Sequence, residues 1–142
     1  MSVKTILDLK GRNVVTVDPE ITLRTAARHL YENRIGVVVI SDDQKSIKGI
    51  LSERDIVTAI GRHGAECLDR PVSSAMVTNV YRCTEDMTVE EVMQVMNSRK
   101  IRHLPVETDG KLGGIISIGD AVKAHIARME MEAEQIKAYI AG

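Results

Sequence analysis

Two short stretches of the sequence place a hydroxyl and a carboxylate three residues apart: Ser52-Glu53-Arg54-Asp55 and Ser117-Ile118-Gly119-Asp120. An ionised carboxylate has two acceptor oxygens whose spacing matches the two hydroxyl donors of a vicinal diol, so one aspartate can hold a ribose through charge-assisted hydrogen bonds. If the stretch also opens a helix, the free amides of the first turn and the serine hydroxyl together make a seat for a phosphate. The same spacing has a plainer use as a capping box, which closes the start of a helix. The two uses are compatible.

Other chemistry-bearing residues are sparse. His63 and Cys67 stand four apart, which on a helix puts both on one face, but zinc needs two further ligands at suitable spacing and the sequence offers none. No metal is expected. The triplet Arg62-His63-Gly64 also occurs in histidine phosphatases, and a small phosphohydrolase is therefore an alternative. Such an enzyme needs a second catalytic histidine in a larger α/β domain, for which a duplicated chain of 142 residues leaves no room. A non-enzymatic protein is expected. Cys67 and Cys83 are expected as free, packed thiols rather than a disulfide.

Composition narrows the partners. Nineteen basic residues against twenty acidic ones, with no Phe or Trp and three Tyr, give neither a basic field nor stacking platforms for bases, so nucleic acid is not expected. The N-terminal stretch lacks the apolar core of a signal peptide, and no run approaches the roughly 18 apolar residues of a membrane-spanning helix. A cytoplasmic protein with no membrane association is expected.

The elements that must position the two Ser-x-x-Asp stretches are written twice. Val14 to Ile40 lies over Val80 to Val106 at a constant offset of 66. Leu23, Ala26, Ala27 and Leu30 then fall on Val89, Val92, Met93 and Met96, each set spaced i, i+3, i+4, i+7 as on an amphipathic helix, with Thr22 and Thr88 as N-caps. An apolar run, a polar turn and a second apolar run follow in each copy, as in a strand pair. Because the first turn is one residue longer, the offset becomes 65, and Gly49, Ser52, Asp55, Val57 and Ala59 match Gly114, Ser117, Asp120, Val122 and Ala124. A second helix begins near Asp55 or Asp120. The reading is a mixed α+β fold of two tandem β-α-β-β-α repeats in pseudo-two-fold symmetry: a lead-in over 1–13, repeats over 14–70 and 79–137, and a connector over Gly61 to Val77. One such unit buries too little surface alone, whereas two can cover each other.

GILSERDI and GIISIGDA, each closing a repeat, with IRHLPV before the second, resemble the cystathionine-β-synthase (CBS) domain family, specifically a paired module. The likeness spans nearly the whole chain. The sequence departs from the family pattern in two ways: Val39 stands where the second repeat has Pro105, and Ser52 and Ser117 stand where Thr is common. The resemblance implies a regulatory module that binds adenosine-containing ligands in clefts shared by the repeats and passes occupancy to a regulated protein not identified here. AMP ranks first, then ADP, NAD(H) or ATP, then S-adenosylmethionine. It implies one cleft with Ile115, Ser117, Gly119 and Asp120 facing Thr16, Val17, Ile21, Ala26, Ile35, Gly36 and Val37. The other would have Ile50, Ser52, Arg54 and Asp55 facing Cys83, Met87, Ile101, Arg102 and His103. The second set holds three candidate cations, Arg54, Arg102 and His103, and the first none, so the Asp55 site is expected to favour a compact phosphate such as that of AMP. An assembly domain with vestigial clefts is the other alternative; the retained pair Asp55 and Asp120 speaks against it.

From Val122 the apolar positions run Val122, Ile126, Met129, Ala133, Ile136 and Ile140, with steps of 4, 3, 4, 3, 4, the period of a coiled-coil seam. The long terminal helix this predicts is expected to pack against its own body and against a second copy in a homodimer.

Overall fold

The computed structural model describes Met1–Gly142. The chain forms two compact units, one of Asn13–Tyr81 with Asp109–Gly113, the other of Met1–Arg12, Arg82–Thr108 and Gly114–Gly142. Each contains one three-stranded sheet, and the fold is mixed α+β, as the repeat pattern predicts.

In the first unit, β1 (Thr16–Val17) pairs in parallel with β2 (Val37–Ile40), which pairs antiparallel with β3 (Gly49–Ser52). Between β1 and β2 runs α2 (Leu23–Asn33), and after β3 comes α3 (Glu53–His63). Helix α2 starts at Thr22, whose hydroxyl accepts from the Thr25 amide at 3.1 Å, and its stripe of Leu23, Ala26 and Leu30 is buried. The eight-residue turn between β2 and β3 is organised by Asp43. Its Oδ1 accepts from the Lys45 amide at 2.9 Å, the Ser46 amide at 2.7 Å and the hydroxyls of Ser41 and Ser46. The backbone bonds from Ser46 and Lys45 hold that carboxyl well below the usual range. The connector is folded: two short 3-10 turns, Ala65–Asp69 and Val72–Ser74, bury Cys67 and Val72 in this unit's core, and the Val72 amide donates to Ile21 O at 2.7 Å.

The second unit repeats the plan with β4 (Cys83–Thr84), α4 (Val89–Arg99), β5 (His103–Thr108), β6 (Lys111–Ser117) and α5 (Ile118–Ala141). Thr88 caps α4 through the Glu91 amide at 3.1 Å. Pro105 has no amide to give, whereas its counterpart Val39 donates to Val15 O at 3.1 Å. The β4–β5 pairing accordingly begins at Cys83↔Val106, the equivalent of Val17↔Ile40, while the first sheet has the additional pair Thr16↔Val39. The lead-in is α1 (Val3–Lys10), and it packs here: Val3, Ile6 and Leu7 lie in the core with Cys83, Val92, Met96, Leu104 and Ile116. The Val3 amide donates to Met87 O at 2.9 Å, the counterpart of the Val72 to Ile21 bond.

Both thiols are free and buried. No helix is long and apolar enough to cross a membrane. The terminal helix departs from expectation in one respect. Its own body covers only its beginning, where Ala121 is buried and Ala124 and His125 are half-buried, and every residue from Ile126 onward is exposed. The seam therefore does not pack on its own chain.

Candidate functional site

Asp55 and Asp120 lie in the first turn of their helices, as the spacing suggested: they sit at the third position of α3 and α5, which begin at Glu53 and Ile118. That position is what the capping box requires. Ser52 Oγ accepts from the Asp55 amide at 3.2 Å while Asp55 Oδ2 accepts from the Ser52 amide at 2.8 Å and the Ser52 hydroxyl at 3.0 Å. Ser117 Oγ accepts from the Asp120 amide at 3.0 Å, and Asp120 Oδ2 accepts from the Ser117 amide at 2.9 Å. In both copies Oδ2 serves the cap, and Oδ1 makes none of these bonds. One carboxylate oxygen thus fixes the side chain, and the other is held, oriented, beside a helix N-terminus.

The Asp120 group contains a cation that the sequence pattern did not suggest. Lys10, the last residue of α1, places Nζ 2.7 Å from Asp120 Oδ2 and 3.0 Å from Ile115 O. Burial pushes the Asp120 carboxyl up, but the hydrogen bonds from Lys10 and Ser117 outweigh it and leave the group below its ordinary value. The residues that the resemblance groups with Asp120 include no cation, and Lys10 adds one. Lys10 lies 110 residues from Asp120 in the chain, so no local motif links them; only the docking of α1 does.

In each unit a residue in the left-handed region, Arg34 (φ 54°) or Lys100 (φ 55°), ends the preceding helix and turns the chain toward the strand. Gly36 O then accepts from the Glu53 amide at 2.9 Å, and Arg102 O from the Ile118 amide at 2.7 Å. Gly36 is thereby brought beside Ser52 and Asp55 within the first unit, and Arg102 beside Ser117 and Asp120 within the second. Ile35, Gly36, Ile101 and His103 are half-buried, and Arg54, Arg102 and Gly119 are exposed. Thr16, Ile21, Ile50, Met87 and Ile115 are also half-buried. Val17 and Ala26 are buried in the core of the first unit and Cys83 in that of the second, and Val37 is buried as well. Burial pushes the Cys83 thiol up to about 12, which removes it as a nucleophile at neutral pH.

Asp55 also lines a recess of about 230 Å³ in the first unit, walled by Thr58, Arg62, His63, Arg70 and Ser74 over a floor that includes Leu23, Ala59 and Met76. Arg62-His63-Gly64 is here a helix ending. Gly64 terminates α3 at φ 80°, a conformation favouring glycine, and its amide donates to Ile60 O at 2.8 Å. The two basic residues occupy the last turn, where the helix dipole favours them. No group of three or more His, Cys, Asp or Glu side chains is placed to hold a metal ion.

The sequence profile of the CBS domain matches residues 6–62 and 72–127. Among curated relatives, an uncharacterized 17.7 kDa protein of Acidianus ambivalens is 36% identical over 129 residues, covering 87% of this chain and 77% of its own. The CBS domain-containing protein CBSCBSPB5 of Arabidopsis thaliana is 31% identical over 97% of this chain, which spans 25% of that protein's length. Among solved structures, the CBS-domain containing protein ATU1752 from Agrobacterium tumefaciens is 47% identical, with a TM-score of 0.84 over 87% of this chain and 92% of that one. The CBS domain pair of MJ0100, solved with 5'-methylthioadenosine and S-adenosylmethionine, is 25% identical, with a TM-score of 0.79 over 90% and 98% of the two chains. PAE2072 from Pyrobaculum aerophilum, solved with AMP, is 28% identical, with a TM-score of 0.74 over 84% and 89%. With both repeats matched, each carrying its capped aspartate in the same local geometry, this chain belongs to the CBS domain family.

Proposed function

We propose that the chain is a regulatory, non-catalytic module that binds adenine nucleotides through Ser52–Asp55 and Ser117–Asp120, each completed by the adenine-side residues that the resemblance assigns to it. The observation that carries this reading is the duplicated carboxylate with one oxygen committed to the cap and one left open. The molecules named with the two ligand-bound relatives, AMP, 5'-methylthioadenosine and S-adenosylmethionine, share adenosine and differ at the 5' position. A diol-reading aspartate serves all three, and groups near the helix N-terminus select among them. Lys10 beside Asp120, and Arg62, His63 and Arg70 in the recess beside Asp55, supply cations suited to a phosphate, so AMP leads, ahead of ADP, ATP, NAD(H) and S-adenosylmethionine.

The partners on this reading are the nucleotide, a second copy of the chain and a protein whose activity follows occupancy. Calorimetric titration of AMP, ATP, NADH and S-adenosylmethionine into the intact protein tests it. Saturable binding of at least one, with adenosine itself weaker than AMP, is expected. No binding of any of them would leave the assembly reading standing.

A further inference from the structure

From Ile126 onward α5 is exposed on every side, and its apolar seam is open along its length: Val122 is 39% exposed, Met129 56%, Ile136 60% and Ile140 77%. The body contacts α5 elsewhere, through buried Ala121, half-buried His125 and the Arg128–Glu90 ion pair at 2.6 Å, a side that lies roughly 100° around the helix from the seam. Those body contacts fix the rotation of the helix, so the seam is presented outward.

We propose that this seam joins a second copy of the chain in a parallel two-stranded coiled coil. The inference rests on the second copy named above as partner and not on the ligand. Orientation follows from the charges flanking the seam. With Ile126, Ala133 and Ile140 at a and Val122, Met129 and Ile136 at d, the e positions are Lys123, Glu130 and Lys137 and the g positions His125, Glu132 and Tyr139. In a parallel pair each g faces the following e of the other helix, which sets Glu132 against Lys137, twice by symmetry. In an antiparallel pair of full overlap, e faces e and g faces g: Lys123 meets Lys137, Glu130 meets Glu130, and Glu132 meets Glu132. Opposite charges thus fall together in one orientation and like charges in the other. The ion pairs that Glu132 and Lys137 make within their own helix, with Arg128 at 3.2 Å and Glu134 at 3.7 Å, are solvent-exposed and free to rearrange.

The test uses the full chain. Light scattering at high micromolar concentration should give a dimer, and Ile136→Asp should raise its dissociation constant at least tenfold without changing the circular dichroism. Ile140→Cys, oxidised at dilute concentration, should form a covalent dimer, since position 140 meets itself only in the parallel arrangement and the native thiols are buried. A mixture of Ile140→Cys with a differently sized Val122→Cys chain should give no mixed disulfide. A monomer, a larger assembly, or a dimer indifferent to Ile136→Asp would overturn the seam. A mixed 122–140 disulfide would overturn the orientation alone. Nucleotide titration reads the proposed function independently of either result.

Discussion

Lys10 and Asp120 form an ion pair at a proposed ligand group, and its consequences can be separated from those of the cap. With side chains 35% and 25% exposed, the pair is screened, and its net contribution to folding is about 0.5–1 kcal/mol. Because the native carboxyl titrates below its ordinary value, that stabilisation is present in full above about pH 4 and is lost as pH falls through the lowered native value. Lys10→Met should therefore be less stable than wild type at pH 7 in urea denaturation, with the gap closing toward zero in strong acid. A gap that is constant with pH would mean that Lys10 acts through packing. The same variant should weaken AMP by about 1 kcal/mol at the Asp120 site and leave 5'-methylthioadenosine, which has no phosphate, unchanged. Equal loss for both would assign Lys10 to the positioning of α1 rather than to the phosphate.

At the scale of elements, Gly49, which opens β3, and its match Gly114, the fourth residue of β6, are glycine because a folded-back segment passes against each. A Cβ on Gly114 would lie 2.8 Å from Leu7 Cδ2, and one on Gly49 2.7 Å from Met76 Sδ and 3.0 Å from Val77 O. Leu7 is fully buried and cannot swing aside, so Gly114→Ala should cost about 1–3 kcal/mol through overpacking, read as a lowered melting temperature. Gly119→Ala is the control. A Cβ there meets nothing nearer than Ser117 Oγ at 3.6 Å, and the change should be neutral or slightly stabilising in the first turn of α5. If both variants melt alike, close approach is not why glycine stands at 114.

For the whole molecule, periodicity made the doubled plan readable, since stripes such as Leu23, Ala26, Leu30 and Val89, Val92, Met96 depend on local spacing alone, as do the Thr22 and Thr88 caps and the two capping boxes. What the spacing could not convey is contact at long separation. Val3, Ile6 and Leu7 are visibly amphipathic, but nothing local says that they complete the core of the second repeat rather than the first, and Lys10 follows them to Asp120. The burial of Ala26 on its stripe and of the Cys83 thiol was legible.

On the proposed function, each of the two aspartates anchors one nucleotide. Calorimetric titration of AMP into wild type, Asp55→Ala, Asp120→Ala and the double variant tests it most directly, with circular dichroism to confirm that each is folded. Loss of charged hydrogen bonds of roughly 1.5–3 kcal/mol each should remove or strongly weaken one site in each single variant, leave the other at its wild-type affinity, and abolish binding when both are changed. A folded double variant that binds AMP as wild type does would mean that neither aspartate holds the nucleotide.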